Sequence, residues 1–214
     1  LKVIYDAAHC FGVEYKGKSI FNYGDISTCS FHATKIFHTG EGGALFCNDA
    51  ELFQKLVYSH NFGHNGPEKY HGLGINAKMS ELQAAMGLSV LPHMNTIFKE
   101  RKRVCDFYDN ALNFNHYKKI TIRESTKWNY SYYPIIFNSE ELLVNALKKL
   151  NIENIFPRRY FYPSLEELPY INSQVNCTLA KNIASKVICL PLYTSIKNSD
   201  LKRIVGVLDK IKNS

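Results

Sequence analysis

The stretch SFHATKIFHTGEGGALF, residues 30–46, has a serine at the end of an apolar run, a lysine five residues later, and then a loop with three glycines. The residues before it, DISTCSFHA, and those at its end, GGALFCND, each have the composition of a strand. Ser30 follows the apolar run, where a serine side chain can either cap a helix or bind an anion. Lys35 is a lone lysine, and because lone lysines are usually solvated, a covalent role for it needs a second observation.

Asp6 supplies that second observation. The segment KVIYDAAH, residues 2–9, predicts a buried strand that ends in polar residues, with Asp6 at its end. Ligands of open α/β sheets bind at the carboxyl ends of the strands, although an aspartate there is also common as a helix cap or turn residue. An amine that forms an imine and a carboxylate that keeps a pyridine nitrogen protonated are the two protein groups a pyridoxal phosphate site requires. Asp6 and Lys35 together therefore favour such a site, where the displaced lysine amine can act as a general base.

Composition excludes several other classes of protein. The chain has 214 residues, of which 45% are hydrophobic, enough for one sizeable core or two modest ones. It has no apolar run of about 20 residues, so no membrane span is expected. The net charge of +7 suits an anionic small molecule, and no nucleic-acid-binding motif is present, so we expect no nucleic acid partner. The six cysteines form no C-x-x-C pair and are expected to be free thiols of a reducing cytoplasm.

Strand-like and helical segments follow one another along the chain, and their alternation beyond about residue 115 predicts a smaller α/β unit there. Helices are expected from about residue 50, over 78–91 and over 93–112, the second with Met79, Leu82, Met86 and Val90 in one apolar stripe. Beyond residue 115 the predicted order is a strand in SYYPIIF, a helix in SEELLVNALKKLN, a strand or extended segment in IENIFPRRY, a helix in CTLAKNIASK, a strand in VICLPLY and a terminal helix in SDLKRIVGVLDKI. Ser139 is the expected cap of the helix that follows it.

Three motifs in order, D-A-A-H, S-F-x-x-x-K and G-E-G-G, make residues 6–49 resemble the DegT/DnrJ family of pyridoxal-phosphate-dependent nucleotide-sugar aminotransferases. The resemblance continues through GLGINAKMSELQAAMGL and CLPLYTSIKNSDLKRIV and covers essentially the whole chain. It implies a fold-type I transferase: residues 1–114 as the C-terminal part of the large, mixed-sheet cofactor-binding domain, and residues 115–214 as the small C-terminal α/β domain.

The resemblance also implies a role for each matching position. Asp6 would pair with the pyridine nitrogen, Ala8 would pack on one face of the ring, and His9 would lie near its phenolic oxygen. Ser30 would bind the cofactor phosphate and Lys35 would form the imine. A sixth residue, Asn76, would reach the phosphate of the neighbouring subunit's cofactor, which implies a homodimer with shared active sites.

The position of Lys35 also separates two reactions known in the family. Some members have histidine in place of this lysine and dehydrate their sugar. Here the lysine is present, with His32 three residues earlier. The resemblance therefore implies transamination of a nucleotide-linked keto sugar, a dTDP-4-keto-6-deoxyhexose, with glutamate as the amino donor. The expected setting is cytoplasmic synthesis of O-antigen, lipopolysaccharide or another surface polysaccharide, and amination at C3 rather than C4 stays open.

Two alternatives stay open beside this interpretation. The chain opens at Leu1 inside an apolar run and lacks the N-terminal portion of the family's large domain, so we expect it to be part of a longer protein. It could then be a truncated, non-catalytic remnant or half of a split aminotransferase. The second alternative is zinc bound by His60, His64 and His71, but nearby glycines and a proline break the helix that this spacing needs, so no metal site is predicted.

The arginines Arg158 and Arg159 are candidate ligands of a diphosphate or plain surface charges.

Overall fold

The computed structural model describes residues 1–172 and 176–211. These residues form two compact units, one made of Leu1–Ile97 with Ile122–Ser131, and the other of Phe98–Thr121 with the residues from Tyr132 onward. The division into domains at residue 114 stays a prediction, and its second part includes 173–175 and 212–214, which lie outside the described residues.

Strands lie in residues 4–46, helices follow in residues 50–111, and beyond residue 115 strands and helices are mixed. The strands of the described residues are β1 (Ile4–Asp6), β2 (Glu14–Tyr15), β3 (Lys18–Ser19), β4 (Ile26–Ser30), β5 (Gly43–Phe46), β6 (Tyr117–Lys119), β7 (Thr126–Lys127), β8 (Pro134–Phe137) and β9 (Val187–Cys189). The α-helices are α1 (Ala50–Ser59), α2 (Glu81–Val90), α3 (Met94–Ala111), α4 (Glu140–Ile152), α5 (Thr178–Ala184) and α6 (Asn198–Leu208).

The main sheet of the first unit has the strand order β1-β4-β5. Strand β1 runs parallel to β4, with Asp6 opposite Thr28, and β5 runs antiparallel to β4. The sequence predicts that β1 is buried, and this prediction is wrong for the described residues: Ile4 is 66% exposed. The reason is that β1 pairs with β4 alone and is an edge strand, which leaves its apolar side chains in solvent.

A second sheet explains why the segment Ile122–Ser131 belongs to the first unit. Its order is β3-β2-β7, so a two-residue strand from this late segment pairs with the early hairpin. Glu14 lies opposite Lys127 in the ladder, and the Lys127 Nζ lies 2.7 Å from the Glu14 Oε1. The segment that follows β7 is thereby placed beside residues 9–11, close to the end of β1.

Helix α2 has an apolar surface that the described residues leave open. Its first turn is closed by a capping box, in which Ser80 and Gln83 exchange side-chain and backbone hydrogen bonds. The helix buries only Gly87, while Leu82 is 85% exposed and Met86 is also exposed. The helix is where the sequence predicts it, but the predicted apolar stripe faces solvent in this chain.

The second unit is built on the antiparallel sheet β6-β8-β9. Helix α4 begins as predicted, with the Leu142 N–H donating to the Ser139 Oγ at 3.2 Å. Helices α4 and α6 bury a shared set of apolar side chains, namely Leu143, Ala146, Leu150, Leu201, Ile204 and Leu208. The segment predicted as strand or extended, residues 152–160, begins with the end of α4 and a turn, and Arg158 then pairs with Cys189 of β9 in an isolated bridge. None of the helices in the described ranges is long and apolar enough to cross a membrane.

Candidate active site

The parallel pair β1 and β4 brings three predicted site residues to one edge of the sheet. Beyond Asp6 the chain follows β4 for two more residues, with the Ala7 N–H donating to the Thr28 carbonyl at 3.1 Å and the Ser30 N–H donating to the Ala8 carbonyl at 3.4 Å. The Asp6 Oδ1 accepts the Ala8 N–H at 3.1 Å, which orients the carboxylate at the end of its strand. Asp6, Ala8 and Ser30 therefore lie on neighbouring strand ends, as the sequence predicts.

Ser30 does not cap a helix, because β4 leads into a closed loop over residues 31–42. The loop is joined at its base by the Phe31 N–H donating to the Gly42 carbonyl at 2.8 Å. Within it, the Ser30 Oγ accepts the His32 N–H at 3.3 Å. Of the two interpretations of this serine, the helix cap is excluded, and binding of an anion stays a prediction.

Gly42 is required by the shape of this loop. Its φ is +154°, a conformation that side chains disfavour, and an added Cβ would lie 2.5 Å from the Thr39 Oγ1. Thr39 is buried, and its hydroxyl donates to the Glu41 carbonyl at 2.6 Å. Gly42, the third residue of the G-E-G-G motif, is thus explained by close packing inside the loop that contains Lys35.

The residues after Lys35 anchor the loop in the core. Ile36 and Phe37 are both buried. The Phe37 ring stacks on Phe11 with centroids 4.4 Å apart, and Phe31 meets Phe37 edge-on at 5.0 Å. The backbone of Lys35 is therefore held by an aromatic cluster (Phe11, Phe31 and Phe37) that also includes the loop after β1.

His9 and Lys35 form a close polar contact, with the Lys35 Nζ 2.7 Å from the His9 Nε2. Burial lowers the pKa of His9, the positive charge of Lys35 lowers it further, and the charge of Asp6 opposes both. An ammonium group only donates hydrogen bonds, so the Nε2 of a neutral His9 accepts from Lys35 and the ring proton lies on Nδ1. The site thus places a proton acceptor directly against the lysine amine.

Three further candidate residues belong to other segments of the chain. Asn76 is on the exposed loop between α1 and α2, where its Oδ1 accepts a hydrogen bond from the Lys78 Nζ at 2.8 Å. Arg159 bonds to Glu140 and to the Ser185 carbonyl, so this arginine is engaged within the second unit. The Arg158 guanidinium lies 5.7 Å from the Tyr160 ring.

The histidines of the rejected zinc alternative have partners other than a metal. His60 Nδ1 lies 2.6 Å from the Val57 carbonyl, His64 packs on Tyr70, and His71 packs on a second tyrosine ring. In residues 1–172 and 176–211, no three His, Cys, Asp or Glu side chains are grouped so that they could hold a metal ion.

A cavity of about 600 Å³ lies between β5 and α1, and its lining is mainly apolar. Leu45, Phe53, Val57 and Met79 contribute to its walls. Asp6, His9 and Lys35 do not line this cavity, so it is not formed by the polar residues of the candidate site.

The comparisons with known proteins agree with this geometry. The model of the DegT/DnrJ/EryC1/StrS aminotransferase family matches residues 1–209, and the chain therefore belongs to this family. A dTDP-4-amino-4,6-dideoxy-D-glucose transaminase from Shigella dysenteriae is 42% identical over 99% of this chain and 59% of its own length. A transaminase of the same name from Escherichia coli is 34% identical over 97% of this chain and 58% of its own length.

Among solved structures, DesI in the presence of its TDP-sugar product has a TM-score of 0.88 and 30% identity, covering 97% of this chain and 55% of DesI. This similarity confirms the predicted fold class, part of a fold-type I transferase. The chain spans about three-fifths of the length of the curated relatives, since it covers 59% and 58% of the two transaminases.

Proposed function

We propose that this chain is the part of a pyridoxal-phosphate-dependent sugar aminotransferase that contains the reactive lysine. The observation that carries the proposal is the pairing of Lys35 with His9 at 2.7 Å in the loop that follows β4. The adjacent strand β1 ends at Asp6, and both charges act on the His9 ring. An amine, a carboxylate and a proton acceptor thus meet at one sheet edge, where α/β folds bind ligands.

The residues present fit the cofactor in chemistry and size. Lys35 would be the covalent attachment point, Asp6 would pair with the pyridine nitrogen, and Ser30 would donate to the phosphate. Ala8 has a small side chain beside this strand edge, where a flat ring can pack. When bound, pyridoxal phosphate serves as the electron sink for the bond changes at the amino carbon of the substrate.

The protein's own part of the chemistry is proton transfer at the Lys35 Nζ. An amine that gives and takes a proton acts as a general base when it is held within hydrogen-bond reach of its partners. His9 fulfils that condition, because its neutral Nε2 accepts from the Lys35 Nζ. The negative charge of Asp6 also acts on the His9 ring, in the direction opposite to that of Lys35.

The proposed substrate is a dTDP-linked 4-keto-6-deoxyhexose, and the proposed amino donor is glutamate. The support is that the relatives with 42% and 34% identity are named dTDP-4-amino-4,6-dideoxy-D-glucose transaminases. DesI, at 30% identity, was solved with a TDP-sugar product. Amination at C4 is therefore favoured over C3, and the product would enter O-antigen or other surface polysaccharide synthesis in the cytoplasm.

The proposed assembly is a homodimer in which Asn76 reaches the cofactor phosphate of the neighbouring subunit. Asn76 is exposed and lies beside the Lys78 ammonium, so the loop offers an amide and a positive charge to an anion. Leu73 and Ile75 on the same loop are exposed apolar residues, which suits a segment that packs against another chain.

The second candidate is a non-catalytic remnant or one half of a split aminotransferase. The observation that favours it is that the chain covers 59% of the length of its Shigella relative.

Transfer of the amino group from glutamate to dTDP-4-keto-6-deoxyglucose, followed by mass spectrometry of the sugar nucleotide, tests the proposal. We expect a 4-amino product from the unmodified protein and none from Lys35→Ala. Lys102→Ala is the matched control, because that lysine lies on the surface in an ion pair with Asp106. Absence of product from the unmodified protein, even with pyridoxal phosphate added, would favour the remnant.

A further inference from the structure

We propose that Asn129 is a positioning residue for the His9–Lys35 pair, acting through the loop that follows β1. The functional role of this inference rests on the proposed function, whereas the hydrogen bonds that support it do not depend on that function. Asn129 does not lie in any of the three motifs, and it is separated from His9 by 120 residues of sequence. It reaches the site because β7 pairs with the early hairpin and brings its own segment alongside.

Asn129 makes hydrogen bonds with both ends of its amide. Its Nδ2 donates to the carbonyl of His9 and to the carbonyl of Phe11, each at 2.8 Å. Its Oδ1 accepts the Ser131 N–H at 3.1 Å. Asn129 is 2% exposed, so these bonds are shielded from water and their loss would remove a donor from each of two backbone carbonyls.

Among side chains of this size, only a carboxamide can donate two hydrogen bonds and accept one. Two N–H groups on one nitrogen satisfy two carbonyls two residues apart, while the oxygen accepts from the residue's own segment. Aspartate has no donor, and leucine has neither donor nor acceptor. The residue type at position 129 is thus explained by two backbone carbonyls of residues 9–11 together with the backbone N–H of Ser131.

The bonds of Asn129 act on Lys35 by two routes. The first runs through His9, whose carbonyl is bound by Asn129 and whose ring contacts the Lys35 Nζ. The second runs through Phe11, whose ring stacks on Phe37, two residues after Lys35. Loss of the amide would loosen both contacts at once, whereas no contact of Asn129 with the lysine itself is needed.

The His9 ring reports this positioning without any cofactor. Burial and the Lys35 charge lower the pKa of His9, and Asp6 is the charged group that acts in the opposite direction. A loop that moves away exposes the ring and separates it from Lys35, so the His9 pKa should rise toward the ordinary value for histidine. A change of stability that leaves the loop in place would not move this pKa.

The experiment compares Asn129→Ala with Ser27→Ala by titrating the ring protons of His9 in NMR spectra, without added cofactor. Ser27 is the matched control because it is fully buried in the same unit and its hydroxyl donates to the Tyr23 carbonyl at 2.9 Å. We expect the His9 pKa to rise in Asn129→Ala and to stay unchanged in Ser27→Ala. An unchanged His9 in both variants, or an equal shift in both, would overturn the proposal.

Two further measurements separate this proposal from the proposed function and from misfolding. Borohydride trapping of pyridoxal phosphate on Lys35 should fall on the order of tenfold in Asn129→Ala, as expected for two lost hydrogen bonds. Absence of trapping in the unmodified protein would contradict the function, while the His9 titration still decides the role of Asn129. If Asn129→Ala does not fold, Asn129→Ser replaces it in the titration, because serine keeps one donor. In addition, the proposal predicts slow solvent exchange of the Asn129 side-chain amide protons in the unmodified protein. Fast exchange would contradict the proposal.

Discussion

Ser30 provides the only proposed side-chain contact between this chain's own site and the cofactor phosphate. Its Oγ accepts the His32 N–H at 3.3 Å. The hydroxyl proton can therefore be donated to a phosphate oxygen. Replacing Ser30 by alanine should therefore weaken pyridoxal phosphate more than pyridoxal, which has no phosphate. We expect a loss of about fivefold in that preference, the value of one hydrogen bond.

Competition between the two compounds, followed by borohydride reduction, measures this preference. Ser27→Ala is again the control, because Ser27 lies on the same strand and bonds to Tyr23. Equal weakening of pyridoxal and pyridoxal phosphate by Ser30→Ala would mean that the serine supports the loop rather than the phosphate.

Residues 6–49 show which parts of the site the sequence can predict. The positions of Asp6, Ser30 and Lys35 follow strand-like runs, and strand ends of a parallel pair meet at one edge by geometry alone. Asn129 is different, because its partners are backbone carbonyls 120 and 118 residues away. Within WNYSYY an asparagine between aromatic residues has no local signal of such a bond, so only the fold reveals it.

At the scale of elements, helix α4 depends on the side chain that caps it. The Ser139 Oγ accepts the Leu142 N–H at 3.2 Å, and the helix buries Leu143, Ala146 and Leu150. Ser139→Ala should lower the free energy of unfolding by about 1 kcal/mol, because the Leu142 N–H in the first turn of the helix loses its side-chain acceptor. Ser139→Asp should keep most of the stability, since its carboxylate can accept the same bond.

Denaturant titration monitored by circular dichroism measures the two variants. Equal loss in Ser139→Ala and Ser139→Asp would show that the hydroxyl has a role other than the cap.

The elements that the sequence missed are short or depend on distant partners. Periodicity predicts α2 and α3 because their apolar residues recur at helical spacing. It does not predict β2, β3 or β7, each of two residues, because two residues contain no period. Nor does it reveal which face is covered: α2 has the expected apolar residues, yet Leu82 and Leu88 are exposed.

At the scale of the molecule, buried thiols and phenols make stability depend on alkaline pH. Burial raises the pKa of Cys105 to about 12, that of Cys189 to about 11 and that of Tyr117 to about 12. In the unfolded chain these groups ionise near their ordinary values of about 8.5 for a thiol and about 10 for a phenol. The unfolded chain therefore binds fewer protons than the folded one above about pH 9.

The folded pKa values are raised, so this stability is fully present below about pH 8.5 and is lost as pH rises toward about 12. Each fully titrating group should contribute a fall of about 1.4 kcal/mol per pH unit in the free energy of unfolding. Urea titrations between about pH 8 and pH 11 measure the slope, which should be shallower in Cys189→Ala. A free energy that stays constant over this range would contradict the burial of these groups.

The central claim is that Lys35 is the residue that binds pyridoxal phosphate covalently. The most direct measurement is the visible absorbance of the purified protein with added pyridoxal phosphate, followed by borohydride reduction and peptide mapping. The account predicts a protein-bound band and a cofactor label on Lys35, the lysine paired with His9. No band, or a label spread over many lysines, would contradict it.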